Sequence, residues 1–287
     1  MTIISGTLGG VKVGDNFPVR IMGAINLTKN SFYSGSVKTS EKEILQGALE
    51  MEKDGADFLD LGARSTAPYR TSEIDLETEK RLIKQATRLL YGKVSIPISV
   101  DTTRFEVAKA ALEEGARIIN DPYGLKHSDG KRLADLASET KCSLVITAHE
   151  EKVGRMHDPL HRIKKEIEKS LRLLDQCGVN NENVVIDPGI GFFSDAKLSN
   201  AEWSCMVLAR LSELRSFSRP VLVGISRKSF IGNLAGGISA DLRLPGSLSA
   251  TGIAVYNGSH IVRTHDVVET FQAVTVASKI KQMRILR

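Results

Sequence analysis

The feature that most constrains the fold of this chain is a short unit that recurs eight times. In each unit an apolar, β-branched run ends in a polar residue and is followed by a stretch with helical spacing. The runs are VRIMGAIN (19–26), DFLDLG (57–62), IPISVD (96–101), ARIIND (116–121), SLVITAH (143–149), NVVIDPG (183–189), PVLVGIS (220–226) and HIVRTHD (260–266). Apolar runs without alternation are typical of strands buried on both faces of a parallel sheet. The pattern predicts an α/β fold, a (β/α)8 TIM barrel, with an open doubly wound sheet as the alternative.

Glycines separate these units. Four of them stand at the end of a helical stretch and just before a strand: Gly55, Gly115, Gly178 and Gly258. A glycine there supplies the left-handed residue that ends a helix. The first 18 residues are too short for a unit, and we expect them to form a hairpin that caps the barrel bottom. Barrels of about 250 residues are single domains, and no linker interrupts this chain, so residues 1–287 are predicted to form one domain.

Composition and charge argue against several classes of partner. The net charge of +5 includes no dense basic tract with interleaved aromatic residues, so nucleic acid is not expected. No apolar run approaches the roughly 20 residues that span a bilayer, and the N-terminus lacks a secretory signal pattern, so we expect a cytoplasmic protein with no membrane partner. The cysteines show no metal-binding spacing and are expected to be buried, reduced thiols: Cys142, Cys177 and Cys205.

Polar residues follow the predicted strands at the point where each strand ends. They are Asn26, Asp60, Asp101, Asn120 with Asp121, His149, Asp187, Ser226 to Lys228, and Arg263 with His265. In a barrel the carboxyl ends of the strands converge on one mouth. Each of these residues alone could cap a helix or begin a turn, but their coincidence at the strand ends predicts one polar cavity.

The strand-end residues fall into two chemical groups. Asp101, Asn120 and Asp187 can accept hydrogen bonds from a flat, amino-bearing heterocycle, because a buried carboxylate facing N–H groups orients such a ring. Other strand ends carry groups that can meet phosphate oxygens; these are Arg227, Lys228, Arg263 and His265. The chain has no GxGxxG after its first strand, no P-loop motif and no GxSxG, which argues against dinucleotide-binding, P-loop and serine hydrolase chemistry.

Several segments resemble the loop motifs of the dihydropteroate synthases, in that family's order. They are MGAINLTKNSFYSGS (22–36), DLGARSTAPY (60–69), ISVDT (98–102), IND (119–121), DPGIGF (187–192), GISRKSFIG (224–232), RLPGSLSATG (243–252) and RTHDV (263–267). Together, GISRKSFIG, DPGIGF and the RTHD segment near the C-terminus are specific for this family, whereas any one of them alone would be weak evidence. The resemblance implies a (β/α)8 barrel, which agrees with the strand count.

The resemblance also implies roles for the matching residues. The positions that hold the pterin ring are Asp101, Asn120, Asp187 and Lys228. Those of the diphosphate pocket are Asn26, Arg263 and His265, with Asn26 also near a bound Mg2+. Ser65 and Thr66 match the loop beside the reacting centre. The residues expected to act in catalysis are Asn26, Thr66, Lys228, Arg263 and His265.

The reaction that the resemblance implies joins a pterin diphosphate to p-aminobenzoate or a related arylamine. The pterin substrate is a (7,8-dihydropterin-6-yl)methyl diphosphate, and the diphosphate is released with assistance from Mg2+. This step belongs to the biosynthesis of folate or of a modified pterin. Family analogy also suggests a homodimer.

Two loops that cover the amine in the family depart from its pattern. The first usually reads TPDSFSDGG, whereas this chain has TKNSFYSGS, with Asn30 and Ser34 at two acidic positions. The second usually reads GESTRPG, whereas this chain has ARSTAPY, with Arg64 in place of Glu and Ala67 in place of Arg. The predicted arylamine site consists of Arg64, Ser65, Thr66 and Ala67. Its acceptor is therefore either p-aminobenzoate or a bulkier arylamine, as in the biosynthesis of archaeal modified pterins.

Two other functions are compatible with a pterin-binding barrel. One is a corrinoid-dependent methyltransferase acting on a methylated tetrahydropterin, and the other is a non-catalytic pterin-binding protein. The SRKSFIG and RTHD segments argue against the methyltransferase, because its substrate carries no diphosphate for them to contact. The altered loops keep the non-catalytic alternative open.

Overall fold

A computed structural model of the chain describes residues 3–28, 38, 40–64, 74–150, 158–194 and 197–285. The strands are β1 Ser5–Leu8, β2 Val11–Gly14, β3 Arg20–Asn26, β4 Phe58–Gly62, β5 Ile98–Asp101, β6 Ile118–Asp121, β7 Ser143–Thr147, β8 Val184–Asp187, β9 Leu222–Gly224 and β10 Ile261–Thr264. The helices are α1 Glu41–Lys53, α2 Leu76–Leu90, α3 Phe105–Glu113, α4 Gly130–Thr140, α5 Pro159–Gln176, α6 Asn200–Ala209, α7 Ser229–Leu234, α8 Leu244–Tyr256 and α9 Val267–Ile285.

Strands β3 to β10 form one parallel sheet in the order β8-β7-β6-β5-β4-β3-β10-β9. A parallel bridge between Ile186 of β8 and Val221, just before β9, joins the two ends of this order. The sheet therefore closes on itself, which confirms the (β/α)8 barrel and rules out the open doubly wound sheet. All eight predicted strands are present, and each is shorter than its apolar run. The run PVLVGIS, for example, retains only Leu222–Gly224 as strand.

The expected N-terminal hairpin is also present, because β1 and β2 pair antiparallel. Its Leu8 and Val13 are fully buried in a cluster with side chains from the first residues of barrel strands, such as Phe58 and Ile261. Gly9 turns the hairpin at a φ of 56°, and a Cβ there would lie 2.7 Å from the Pro97 side chain. The hairpin thus fills the end of the barrel where the strands begin, opposite the mouth.

Local sequence explains where the helices begin and end. Ser40 and Glu43 form a capping box at the start of α1, which satisfies backbone N–H groups that have no partner within the helix. The four corner glycines have φ between 72° and 108°, as predicted: Gly55, Gly115, Gly178 and Gly258. A residue with a Cβ would be strained at these values. Each helix therefore stops where the next strand must enter the barrel.

The surface requires one correction to the sequence analysis. All three cysteines are free, as expected, but only Cys142 is buried, whereas Cys177 is half-buried and Cys205 is exposed. Cys205 lies on the outer face of α6, whereas its neighbour Ser204 faces the core. Within the described residues, no helix combines the length and the apolar character that crossing a membrane requires.

Candidate active site

The mouth of the barrel is organised around Arg263, near the end of β10. Its Nε donates to Asp60 Oδ2 at 2.6 Å, and its Nη2 donates to Asp101 Oδ2 at 3.1 Å. Asp60 is fully buried and also accepts from Asn120 Nδ2 at 3.0 Å and from Ser99 Oγ at 2.6 Å. Side chains from β4, β5, β6 and β10 thus form one network, as expected for strand ends that converge.

Asp101 retains one oxygen without a hydrogen-bond partner among the described residues. This oxygen, Oδ1, is buried, whereas Oδ2 accepts from Arg263. Burial raises the pKa of Asp101 to about 7, and the nearby Asp60 carboxylate adds to this rise against the opposing effect of Arg263. A buried acceptor without a donor costs free energy. A ligand that brings an N–H group to this oxygen would remove that cost.

Asp187 and Lys228 form a second part of the mouth. Asp187 Oδ1 accepts from the backbone N–H of Gly189 at 2.8 Å. Lys228 Nζ donates to the Ile190 carbonyl and lies 4.7 Å from the centroid of the Phe192 ring. Burial raises the pKa of Asp187 and lowers the pKa of Lys228 to about 8, while each charge opposes the shift of the other. A carboxylate and an amine therefore face the mouth beside an aromatic ring.

Asn26 and His265 form a third part of the mouth. Asn26, the last residue of β3, places its Nδ2 3.5 Å from His265 Nε2. His265 Nδ1 lies 3.0 Å from Ser226 Oγ. Burial, aided by the positive charge of Arg263, lowers the pKa of His265 to about 3. The imidazole is therefore neutral at physiological pH.

Arg227, which the sequence analysis considered for phosphate binding, is engaged elsewhere. It is buried, and its guanidinium binds the Asp266 carboxylate, with Nη2 donating to Oδ1 at 2.7 Å. Its Nη1 donates to the carbonyls of Ala240 and Asp241. The backbone of Arg227 has a φ of 56°, which is strained for a residue with a side chain. Arg227 thus braces the loop that carries Lys228.

Two other strand-end residues do not join the network. Asp121 is fully buried and accepts from the backbone N–H groups of Tyr123 and Leu125 and from the His127 ring at 2.8 Å, so it shapes the loop after β6. His149 stacks on Tyr123 with ring centroids 4.2 Å apart. These contacts support the loops and give neither residue a place beside Arg263.

Most of the predicted arylamine site falls outside the described residues. This concerns Ser65, Thr66 and Ala67, together with the altered first-loop positions Asn30 and Ser34. Arg64 is described, and its Nη2 donates to Thr103 Oγ1 at 2.7 Å. The guanidinium is therefore anchored to the loop after β5, next to the Asp101 side of the mouth.

Sequence reasoning placed Asp60 and Ser226 at strand ends but gave them no ligand to bind, and it did not consider Asp266. Asp60 lies within β4 and binds Arg263, whereas Asp266 lies just after β10 and binds Arg227. An aspartate within or directly after a buried strand indicates a buried ion pair. Ser226 carried no such signal, because its partner His265 is 39 residues away in the chain.

The comparisons with known proteins agree with this geometry. A family model described as "Pterin binding enzyme" matches residues 22–265. The chain is 31% identical over 259 residues to a dihydropteroate synthase of Escherichia coli (strain K12), with 89% of each chain covered.

Solved structures resemble the chain over almost its whole length. A dihydropteroate synthase from Coxiella burnetii in complex with pteroic acid matches with a TM-score of 0.85 and 29% identity, over 98% of this chain and 99% of that one. A Xanthomonas albilineans dihydropteroate synthase with 4-aminobenzoic acid matches with a TM-score of 0.85 and 28% identity, over the same shares, 98% and 99%. A closed barrel with this mouth and these relatives leads to one conclusion, that the chain belongs to the dihydropteroate synthase family of pterin binding enzymes.

Proposed function

We propose that this chain is a transferase that condenses (7,8-dihydropterin-6-yl)methyl diphosphate with p-aminobenzoate and releases diphosphate, a step of folate biosynthesis. The observation that carries the proposal is the buried Oδ1 of Asp101, which has no partner among the described residues. A ligand with N–H groups would pair this acceptor, and the amino-bearing edge of a pterin supplies them.

The pterin ring would lie between the two halves of the mouth. Asp101 and Asp187 would accept from its N–H groups, and Lys228 would donate to its ring carbonyl or nitrogen. Asn120 is held by Asp60 at 3.0 Å, which leaves its amide oxygen to face the ring. These contacts are charge-assisted and buried, so they fix the orientation of the ring.

The diphosphate would lie at the Asn26 and His265 corner. Arg263 Nη1 has no hydrogen-bond partner among the described residues, and it is a donor on a side chain that is 23% exposed. The guanidinium can therefore keep its hydrogen bonds to Asp60 and Asp101 and still donate to a phosphate oxygen. Arg263 would then connect the two ends of the substrate, so its role extends beyond the diphosphate pocket.

Mg2+ would assist the departure of the diphosphate. Among the described residues, no group of three or more His, Cys, Asp or Glu side chains is arranged to hold a metal. Asn26 offers a single amide oxygen, which suits an ion that arrives with the substrate, because Mg2+ usually binds through one or two protein groups plus phosphate oxygens. When bound, the ion would neutralise charge on the leaving group.

The reaction then requires positioning more than covalent catalysis by the protein. The bond between the pterin methylene carbon and the diphosphate oxygen breaks, and the electron pair leaves with the oxygen. The amine nitrogen forms the new bond to that carbon and loses a proton. The carboxylates of Asp101 and Asp187 beside the ring would favour the positive charge that develops there.

The arylamine would bind next to the Arg64 side of the mouth. Arg64 would meet the carboxylate of p-aminobenzoate, since its Nη2 is already fixed to Thr103 and the planar guanidinium has further donors. The site would include Ser65, Thr66 and Ala67. A bulkier, anionic arylamine would use the same contact and remains the second acceptor to test.

The proposal includes a homodimer formed through α8 and α9. These helices pack against each other, and both carry exposed large apolar side chains: Ile253, Val268, Val276, Ile280 and Met283. Apolar residues clustered on neighbouring helices mark an interaction surface. We expect a dimer in sedimentation velocity and a monomer after Ile280→Asp. A monomeric wild-type protein would contradict this part of the proposal.

The proposal also includes a single domain over residues 1–287 and a cytoplasmic location. The hairpin shares its buried apolar cluster with the barrel strands, which supports one common core. Three free cysteines, one of them exposed, suit a reducing compartment.

Calorimetry with the pterin diphosphate tests the proposed site. We expect binding to the wild-type protein and a loss of affinity of roughly 1.5–3 kcal/mol in Asp101→Asn, since a charge-assisted hydrogen bond is replaced by a neutral one. The exposed Glu168→Gln on α5 serves as a control. Methyl transfer from a methylated tetrahydropterin to a corrinoid would instead favour the methyltransferase, and binding without any product would favour the non-catalytic alternative.

A further inference from the structure

A carboxylate that the proposed reaction does not use is buried next to the mouth. Glu79, near the start of α2, is fully buried, and both of its oxygens accept hydrogen bonds. Oε1 accepts from Thr102 Oγ1 at 2.8 Å, and Oε2 accepts from Arg104 Nη1 at 2.8 Å. The same Nη1 also donates to the carbonyl of Ile74 at 3.0 Å, just before α2. An ion pair and a hydroxyl group thus tie the loop after β5 to α2.

The residues tied in this way alternate with residues that support the proposed site. Asp101 stands immediately before Thr102, and Thr103, which accepts from Arg64 Nη2 at 2.7 Å, stands immediately after it. Thr102 Oγ1 also accepts from the backbone N–H of Arg104 at 3.2 Å, which closes the loop on itself. A shift of this loop would therefore move the pterin acceptor Asp101 and the anchor of Arg64 together.

The burial of a carboxylate at this position is not explained by packing alone. Removing an ion from water costs free energy, and an apolar pair of similar volume often stabilises a fold as well as a buried ion pair does. Glu79 also lies close enough to Asp101 for its charge to add to the raised pKa of Asp101, of which burial is the main cause. What the carboxylate provides is geometry, because its two oxygens fix the positions of two donors on one loop.

We infer that Glu79 is a positioning residue, which holds Asp101 against the pterin and Arg64 against the arylamine. It acts through the loop after β5 and touches neither substrate. The identity of the two ligands rests on the proposed function, whereas the anchoring of the loop to α2 does not. Loss of the Glu79 carboxylate should therefore weaken both halves of the site.

Hydrogen–deuterium exchange of the ligand-free protein tests the anchoring. Glu79→Gln keeps the shape of the side chain, but an amide nitrogen cannot accept, so one of the two donors loses its partner. The backbone N–H of Arg104, which donates to Thr102, should then exchange faster than in the wild type. Glu114→Gln is the matched control, because Glu114 binds Arg88 of α2 at 2.6 Å from the opposite end of α3. Unchanged exchange at Arg104 in Glu79→Gln would overturn the inference.

Steady-state kinetics test the consequence for the substrates. Glu79→Gln should raise the KM for the pterin diphosphate and the KM for p-aminobenzoate by about tenfold each, the scale of one charge-assisted hydrogen bond. At saturating pterin diphosphate, the KM for unsubstituted aniline should keep its wild-type value, because aniline has no carboxylate for Arg64 to meet. A general loss of structure would raise the KM for both amines equally, and that result would overturn the inference.

The pH profile of binding gives a readout that loosening of the fold would not mimic. In Glu79→Gln the affinity for the pterin alcohol should level off at a lower pH, since removal of one negative charge lowers the pKa of Asp101. The other charged groups near Asp101 are unchanged by this substitution: Arg263, Asp60, Arg64 and Lys228. A profile that does not move would contradict the inference.

A second variant keeps the test decisive if Glu79→Gln does not fold. Thr102→Val removes the hydroxyl but keeps the ion pair between Glu79 and Arg104, and it should raise the same two KM values while leaving that for aniline unchanged. Wild-type KM values in Thr102→Val would overturn the inference. If the wild-type protein makes no product from any arylamine, the proposed function fails, and the exchange experiment still decides whether Glu79 anchors the loop.

Discussion

Two residues at the mouth carry charges that their surroundings disfavour. Burial raises the pKa of Asp101 to about 7 and lowers the pKa of Lys228 to about 8, so the neutral form of each is close in free energy to the charged form. A pterin restores the missing partners, since its N–H groups favour the ionised carboxylate and its carbonyl favours the ammonium. Binding of a pterin would therefore offset the free-energy cost of burying these two charges.

The affinity for a pterin should therefore depend on pH. When Asp101 is protonated, its O–H faces the N–H of the ring, and two donors cannot pair. As the pH rises, the affinity should therefore increase by up to tenfold per pH unit, about 1.4 kcal/mol, until the pH passes the pKa of about 7. Affinity should fall again above about 8, as Lys228 loses its proton. The groups that face Asp101 are Arg263, Asp60, Arg64 and Glu79. Calorimetry with the pterin alcohol over this range checks the profile, and constant affinity through neutrality would contradict it.

The same raised pKa predicts how Asp101 affects folding. Its folded pKa lies above the unfolded value, so the unfolded state releases the proton first and the folded state loses stability as the pH rises toward about 7. Above the folded pKa, the effect of Asp101 on the free energy of unfolding no longer changes with pH. Urea unfolding should show a larger gain in stability on lowering the pH toward 5 for the wild type than for Asp101→Asn, which cannot titrate. Identical pH profiles would contradict the assignment.

Asp187→Asn tests the other carboxylate. The amide fills the same space, so the fold should survive, but it cannot carry the charge that pairs with the ring. We expect pterin binding to weaken by roughly 1.5–3 kcal/mol. Asp135→Asn, on the exposed face of α4, is the control and should bind as the wild type does. An unchanged affinity in Asp187→Asn would show that the ring lies elsewhere.

At the scale of elements, the strands and their corners could be predicted because the information is local. An apolar run marks each barrel strand. Gly55 and Gly115 end helices because they adopt positive φ values. The network at the mouth depends instead on register between strands. Arg263, Asp60 and Asp101 could each be placed at the mouth from their strands, but the pairing of the arginine with both carboxylates could not. Arg227 was considered for phosphate binding because no local pattern shows that its guanidinium binds the Asp266 carboxylate.

The hairpin and the mouth lie at opposite ends of the barrel. We therefore expect substitutions in the hairpin to change the free energy of unfolding without changing the affinity for a pterin. Leu8 is fully buried against the first residues of the strands. Leu8→Ala should lower the free energy of unfolding by about 2–5 kcal/mol, the cost of a cavity in a packed core. Urea denaturation measures this loss, and calorimetry at a temperature where the variant is folded should give wild-type pterin affinity. A large loss of affinity in the folded variant would show that the two ends are coupled.

At the scale of the whole molecule, the barrel supplies the mouth, and we propose that the loops determine the choice of amine. The proposed pterin site uses side chains of β4, β5, β6 and β8, whereas the altered loop positions Asn30 and Ala67 lie outside the described residues. Sequence alone could therefore predict the pterin half of the site but could not decide the amine. Arg64 is the described residue through which this question can be tested.

Removing Arg64 should affect anionic amines selectively. Arg64→Ala should raise the KM for p-aminobenzoate by about tenfold, equivalent to one charge-assisted hydrogen bond, and should leave the KM for unsubstituted aniline unchanged. Arg81→Ala, on α2 away from the mouth, is the control. A para-substituted aniline bearing a phosphorylated polyol is the competing substrate. If it is preferred over p-aminobenzoate by a wide margin, the acceptor is the bulkier arylamine.

The most direct measurement of the central claim is the yield of both products in one reaction. Purified protein is given the pterin diphosphate, Mg2+ and p-aminobenzoate, and the condensed pterin and free diphosphate are quantified by mass spectrometry and a phosphate assay. We expect equal amounts of the two products, both dependent on the amine and both strongly reduced in Asp187→Asn. Tight pterin binding without product from p-aminobenzoate or any larger arylamine would contradict it.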